Sequence, residues 1–324
     1  MKLRTRGRFN VKRVGRLLAD RVRGDAFDRA IAAAAARGQR TFVLGWNRGL
    51  GDIALGLCPL FARIRARLPD ASITVFARPD LVDALRLTDT DRIVAIPGLA
   101  RGERIDLDAA AAQAGERIAH DAVCFADPDP TRWLEGRRTE HPPVLRWDPA
   151  QDARADALLR PRDDVVTLGA HVASETARYY GYVKDWPAAH WRALFARFDD
   201  PARVRWVLFG HAADDAYAQP NVCDLRGRTG FLDLLAVIRA RCRILVAPDS
   251  GVLTMAYYLA GTAPLDVVSL WSDPRQGVLK QGCPSPNPNL HHVALVGRDE
   301  DVRNVTVDVV AQAVAAAIGR ARRP

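Results

Sequence analysis

Two turns that combine glycine with a carboxylate are the parts of this chain best suited to chemistry. Asn47-Arg48-Gly49-Leu50-Gly51-Asp52 follows the apolar run 42–46, and Pro248-Asp249-Ser250-Gly251 follows the apolar run 244–247. Each stands where a strand gives way to an apolar helix. A helix start has unpaired N–H donors and a partial positive charge, and glycine lets an anion approach them, so both turns suit a phosphorylated ligand. Their occurrence in two halves of one chain points to a ligand held between facing domains. Asp52 reads either as a general base or as a helix cap, a role that contributes about 1 kcal/mol by itself. Asp249 carries the same two readings, and neither takes away the N–H groups of Ser250 and Gly251.

A third group lies between these turns. His171-Val172-Ala173-Ser174 follows a strand, and Lys184-Asp185-Trp186-Pro187 precedes a helix. Ser174 as hydroxyl donor and Lys184 as point charge make a diphosphate cradle. Lysines are few in this arginine-rich chain, which singles Lys184 out from an ordinary surface cation. No metal site is expected. Asp89-Thr90-Asp91 and Asp127-Pro128-Asp129 are isolated acid pairs, and His291-His292 has no cysteine or carboxylate at ligand spacing. The chain has neither a Gly-x-Ser-x-Gly elbow nor the Gly-x-Gly-x-x-Gly dinucleotide fingerprint.

The elements that must position these groups alternate. Strands are expected over 41–46, 72–77, 92–96 and 121–126, with helices over 53–68 and 81–87 between them. A second series gives strands 165–169, 205–210, 244–247 and 266–271, with a helix following Trp186-Pro187, where Pro187 suits the first helical turn, and further helices over 231–241, 251–260 and 307–322. Such a β-α-β rhythm predicts an α/β protein with parallel sheets. The proline-rich stretch 127–149 reads as a long loop near the boundary. Division into an arm (1–40), an N-terminal domain (41–155), a C-terminal domain (156–305) and a last helix (306–324) follows.

The chain has 324 residues, 48% of them hydrophobic and 26% charged, with a formal net charge of +9. Two ordinary globular domains fit that length, and no apolar run reaches the roughly 18 residues a membrane span needs. No secretory leader is evident. Five widely spaced cysteines without a Cys-x-x-Cys pair read as buried reduced thiols of a cytoplasmic protein. Residues 1–24 hold nine basic side chains against Asp20, which leaves the remaining 300 residues at +1. Val11, Val14, Leu17, Leu18 and Val22 fall on one helical face of this arm, so it reads either as an anchor on an anionic membrane or as a solvated helix. Nucleic-acid binding is not expected, because the arm lacks interleaved aromatics.

Taken together these blocks resemble glycosyltransferase family 9, the bacterial heptosyltransferases. The resemblance covers roughly 41–274 and rests on four blocks in order. The first is Gly51-Asp52 with Leu57-Cys58-Pro59-Leu60, continued by Leu68-Pro69-Asp70-Ala71 and Arg78-Pro79, and the second is Lys184-Asp185-Trp186-Pro187. Gly210 with Asp214 and Asp224-Leu225-Arg226-Gly227-Arg228-Thr229 make the third, and Asp249-Ser250-Gly251 with Asp273-Pro274 the fourth. The resemblance implies a GT-B fold, in which two Rossmann-like domains with parallel sheets face across a cleft. It implies an inverting, metal-independent transferase that moves a sugar, by family default heptose from ADP-heptose, onto a lipopolysaccharide-type or other cell-surface glycan.

In that scheme Asp52 is the base, on an acceptor-side loop with Arg48, Gly49 and Gly51. Ser174 and Lys184 hold the donor diphosphate with help from Asp249, Ser250, Gly251 and Thr254, while Asp214 meets the ribose. No cofactor beyond the nucleotide sugar is implied, and the location is cytoplasmic, on the inner face of the inner membrane. Thr254 occupies a position where the family has histidine, Asp214 replaces a glutamate, and 175–183 looks longer than usual. The rival expectations are a GT-B-shaped scaffold that has lost catalysis, and a GT-B transferase or epimerase using another nucleotide sugar.

Overall fold

A computed structural model describes residues 20, 24–162, 164–174, 181–210 and 216–322. The basic arm (apart from Asp20 and Gly24) and Asp214 lie outside the described residues. Two compact units make up the chain. The first comprises the described part of Met1–Asn47 with Pro59–Arg78 and Thr90–His141, and the second comprises Arg48–Cys58, Pro79–Asp89 and the described part of Pro142–Pro324.

The first unit is built on a four-stranded parallel sheet. Its strands are β1 (Thr41–Trp46), β2 (Ser72–Ala77), β3 (Arg92–Ala95) and β4 (Val123–Phe125), in the order β3-β2-β1-β4. β1 and β2 pair along their whole length, Thr41 with Ser72 through Trp46 with Ala77. Buried runs such as Phe42-Val43-Leu44 are what a sheet covered on both faces requires. Gly45 is fixed by a close approach: a Cβ there would lie 2.4 Å from the carbonyl oxygen of Ala126. At the end of β1 the Asn47 amide donates to the carbonyls of Ala100 and Glu103, both at 2.7 Å, and accepts from Arg78 Nη1 at 2.6 Å.

The second unit carries six parallel strands: β5 (Val166–His171), β6 (Val204–Phe209), β7 (Val222–Asp224), β8 (Ile244–Pro248), β9 (Leu265–Trp271) and β10 (Leu290–Val296). Their order, β10-β9-β8-β5-β6-β7, is a doubly wound one: the chain runs outward one way from β5 and then returns to build outward the other way from β8. Ligands of such sheets bind at the carboxyl ends of the two strands that flank the reversal, here β5 and β8. Every residue of both strands is buried, among them Leu168, Ala170, Ile244 and Val246. The core beside β5 and β6 is aromatic, with Trp186, Trp191, Phe195 and Trp206 fully or almost fully buried.

Several expectations need correction. The stretch 127–149 is not one loop, because Asp129 caps a short helix, Pro130–Trp133, by accepting from the Arg132 N–H at 3.1 Å. β7 and β10 were not expected: β7 has only three residues and β10 follows a proline-rich stretch, so neither advertises itself by pattern. Pro187 is the cap of helix Ala188–Arg197 and not part of its first turn. All five cysteines are unpaired, but only Cys58, Cys242 and Cys283 are buried, while Cys124 is exposed. Burial pushes the Cys58 and Cys242 thiols up to about 12, which makes them inert as nucleophiles.

Candidate functional site

β8 delivers the second turn to the reversal point. Ser250 is the cap of helix Gly251–Tyr257, and its hydroxyl oxygen accepts from the Leu253 N–H at 3.2 Å. Asp249 is therefore not the cap. Its carboxylate is instead spent on Lys184, whose Nζ lies 2.6 Å from Asp249 Oδ2, with side-chain exposures of only 17% for the lysine and 9% for the aspartate. A pair this sheltered holds both charges in one place, and the Lys184 ammonium also stands 5.7 Å from the centre of the Tyr182 ring.

Three residues hold Lys184 there, and each neighbour in Lys184-Asp185-Trp186-Pro187 has its own task. Asp185 Oδ1 accepts the backbone N–H of Ser174 at 2.7 Å, tying the loop after β5 to the lysine segment. Trp186 is buried in the core and donates from Nε1 to the Val305 carbonyl at 2.8 Å. Pro187 opens the next helix. Ser272 adds a further hold, its hydroxyl donating to the Val183 carbonyl and accepting from the Val302 N–H. Nothing in the amino-acid order singles out Asp185 or Ser272, since an isolated aspartate or serine in a loop has no pattern of its own.

The first turn belongs to the same unit. Leu50–Asp52 forms a helical turn that continues into a π turn, Ile53–Leu57, and then into Cys58–Arg67. π turns within helices are rare and collect at functional sites. Asp52 is not the cap of this helix. Gly49 is the cap, and Asp52, three residues on, accepts the Gly49 N–H at 3.1 Å on one carboxylate oxygen. Asp52 remains exposed to solvent yet is crowded by protein, and that crowding raises its carboxyl above the ordinary aspartate range. Asp249 pushes in the same direction, while the Gly49 hydrogen bond, Arg48 and Lys184 partly offset it. Gly51, next to Asp52, packs against Gly251, and Asp249 two residues before Gly251 holds Lys184, so the three groups share one neighbourhood.

The glycines of the two turns serve mutual contact. A Cβ on Gly51 would stand 3.2 Å from Thr254 Oγ1 and 3.3 Å from Gly251 Cα, and one on Gly251 would stand 2.7 Å from Leu50 Cβ. The turns pack backbone to backbone, which explains glycine at both positions without any ligand. Thr254 is buried, and its hydroxyl donates to the Ser250 carbonyl at 3.1 Å. Its short side chain fits against Gly51, where a histidine ring would need more room. Replacing Gly251 with alanine is expected to cost about 1–3 kcal/mol, as overpacking a rigid contact does. A denaturant midpoint unchanged in that variant would refute the contact.

Gly277, which no sequence pattern marks, lies against Trp271 and the Asp249 carboxylate. Its φ is +49°, and a Cβ there would meet Trp271 Cη2 at 2.6 Å and Asp249 Oδ1 at 2.9 Å. The candidate metal pairs have other tasks. Asp91 accepts from Arg65 and from the Ile73 N–H, Asp89 pairs with Arg146, and Asp129 caps a helix. Among the described residues no three histidines, cysteines or carboxylates gather as a metal-binding group. Nor is any helix among them long and apolar enough to cross a membrane. The family-like Asp224 chelates Arg226 through both carboxylate oxygens, and Gly227, at φ +66°, donates to the Gly210 carbonyl at 2.8 Å.

Residues 132–263 match the model of glycosyltransferase family 9 (heptosyltransferase). The fold is similar to that of ADP-heptose LPS heptosyltransferase II of E. coli, with a TM-score of 0.57 and 17% identity, over 88% of this chain and 100% of that one. It is also similar to a family 9 glycosyl transferase from Veillonella parvula, with a TM-score of 0.59 and 14% identity, over 87% of this chain and 98% of that one. A third match is the E. coli heptosyltransferase WaaC with ADP, with a TM-score of 0.52 and 14% identity over 86% and 99% of the two chains. No curated protein sequence matches. The α/β architecture with two parallel sheets is that of the GT-B heptosyltransferases.

Proposed function

We propose that this chain, a glycosyltransferase with a family 9 domain over residues 132–263, transfers a sugar from a nucleotide diphosphate to a glycan hydroxyl with inversion and without a metal. The donor is ADP-heptose and the acceptor a lipopolysaccharide-type or other cell-surface glycan. The solved structures of similar fold include an ADP-heptose LPS heptosyltransferase and a heptosyltransferase with ADP, and these supply the choice of donor.

The observation that carries the reading is the meeting of Asp52, Lys184 and Asp249 at the reversal of the second sheet, with Lys184 Nζ 2.6 Å from Asp249 Oδ2. In the reaction the acceptor hydroxyl gives its proton to the Asp52 carboxylate as its oxygen bonds to the anomeric carbon. The bond from that carbon to the diphosphate oxygen breaks on the opposite face, and the electron pair leaves with the nucleoside diphosphate. Lys184, with Ser174 and the backbone of Ser250 and Gly251, stabilises the charge that develops there. Asp249 keeps the ammonium in place until the diphosphate arrives. Arg48, Gly49 and Gly51 shape the acceptor side, Asp214 meets the donor ribose, and residues 1–24 hold the enzyme against the anionic inner face of the membrane.

Thermal unfolding with a panel of ADP-, UDP- and GDP-sugars tests this reading. A ligand present at 100 times its dissociation constant stabilises by about 2.7 kcal/mol, and ADP-heptose is expected to give the largest rise in Tm. A rise with a uridine sugar alone would move the donor assignment. No rise with any of them would turn the reading to a scaffold without catalysis.

A further inference from the structure

The opposite edge of the six-stranded sheet carries a second feature, one that sugar transfer does not use. In a parallel sheet all strand starts lie on one edge and all strand ends on the other, and β5 alone, at six residues, sets the two edges about 16 Å apart. At the starting edge is a recess of about 540 Å³ lined by Arg162, Arg205, Arg241, Arg243 and Arg322, with Asp164 as its lining carboxylate. Two of these arginines have a carboxylate partner: Arg162 pairs with Asp164 at 2.8 Å, and Arg241 pairs with Asp156. Among the described residues no carboxylate pairs with Arg205, Arg243 or Arg322.

Arg205 is the informative member. It stands on β6 in register with Thr167 of β5 and is half-buried. Its Nη2 donates to Thr167 Oγ1 at 3.0 Å and its Nη1 to the Arg160 carbonyl at 2.9 Å, while its Nε is buried without an acceptor among the described residues. Burial holds its guanidinium below the ordinary arginine range, and repulsion from Arg162 and Arg241 acts in the same direction. A half-buried cation beside like-charged neighbours is costly to the fold, and an anion in the recess would offset that repulsion. Guanidinium groups on several sides match the oxygens of a phosphate, which accept paired N–H donors.

We propose that this recess is a second anion site, which binds a phosphate or diphosphate group remote from the place of sugar transfer. The group is presented either by a soluble phosphate compound or by a lipid headgroup. The site stands independently of the transfer reading, since none of its residues takes part in it.

Isothermal titration with inorganic pyrophosphate tests the site in the full-length Lys184→Met variant, which removes the competing cation of the transfer site. Binding is expected to persist in that protein, and to weaken about tenfold or more when Arg205→Gln is added, as the loss of a charge-assisted contact implies. Should Arg205→Gln fail to fold, the pair Arg243→Gln and Arg322→Gln, both at exposed positions, serves instead and is expected to weaken binding likewise. Absence of pyrophosphate binding in the Lys184→Met protein would overturn the proposal, as would unchanged affinity in the folded arginine variants. Flotation with phosphatidylcholine vesicles containing phosphatidic acid separates the sources. Capture that pyrophosphate competes away, and that the arginine variants lose, assigns a lipid-borne phosphate; pyrophosphate binding without such capture assigns a free one.

Discussion

Asparagine in place of Asp52 is expected to lower turnover by about 10²–10⁴-fold, the range typical of a lost general base, with the fold unchanged. The asparagine carbonyl still accepts the Gly49 N–H, so the start of the helix keeps its hydrogen bond. What is lost is the group that takes the acceptor proton. The pH dependence follows from the crowding around this carboxyl, which raises its pKa. A base works only when ionised, so kcat/KM falls as pH drops through that raised pKa. The acid limb of the profile is therefore expected above the ordinary carboxylate range and is expected to vanish in Asp52→Asn. For stability the sign is opposite. Between the ordinary and the raised pKa the folded protein holds more protons than the unfolded chain, so stability declines as pH rises through that window. Asp52→Asn removes this decline. Wild-type turnover in a folded Asp52→Asn protein would remove Asp52 from the mechanism.

Lys184→Met is expected to cost about 10²–10³ in kcat, the usual loss when one group stabilising a leaving charge is deleted. Methionine keeps much of the lysine stem and removes the ammonium. It also strands the sheltered Asp249 carboxylate, and breaking a buried pair by removing one partner costs about 3–5 kcal/mol. The single variant is therefore expected to melt at a lower temperature as well. Pairing it with Asp249→Asn removes both charges, and stability is expected to return while transfer stays impaired. That separation distinguishes a catalytic ammonium from a structural one. Recovery of both stability and turnover in the double variant would show that the pair only holds the fold together.

Much of this was legible in the chain because it is local. Continuous apolar runs such as Phe42-Val43-Leu44 and Ile244-Leu245-Val246 announce strands buried on both faces, and the turns that follow them carry glycine and acid in adjacent positions. The strand, turn and helix at each place depend on residues a few positions apart, so spacing suffices to find them. β7 and β10 escaped because three residues, or seven behind a run of prolines, fall below what periodicity resolves. The cap assignments slipped by one to three positions. Glycine, serine and proline hold the caps at residues 49, 250 and 187, which left the acids free for other partners.

Partnership across the chain was decided by the tertiary structure alone. Nothing near Asp249 in sequence selects Lys184, sixty-five residues earlier, as its counter-ion. Nothing near Gly51 foretells that its missing side chain makes room for Thr254 and Gly251. The amino-acid order fixes which segments become strands and helix starts, because those choices rest on local backbone and burial preferences. Which carboxylate meets which cation depends on strand order, and on contacts that form only when distant segments pack. Long-range Coulomb fields and steric fit leave no local mark in a sequence.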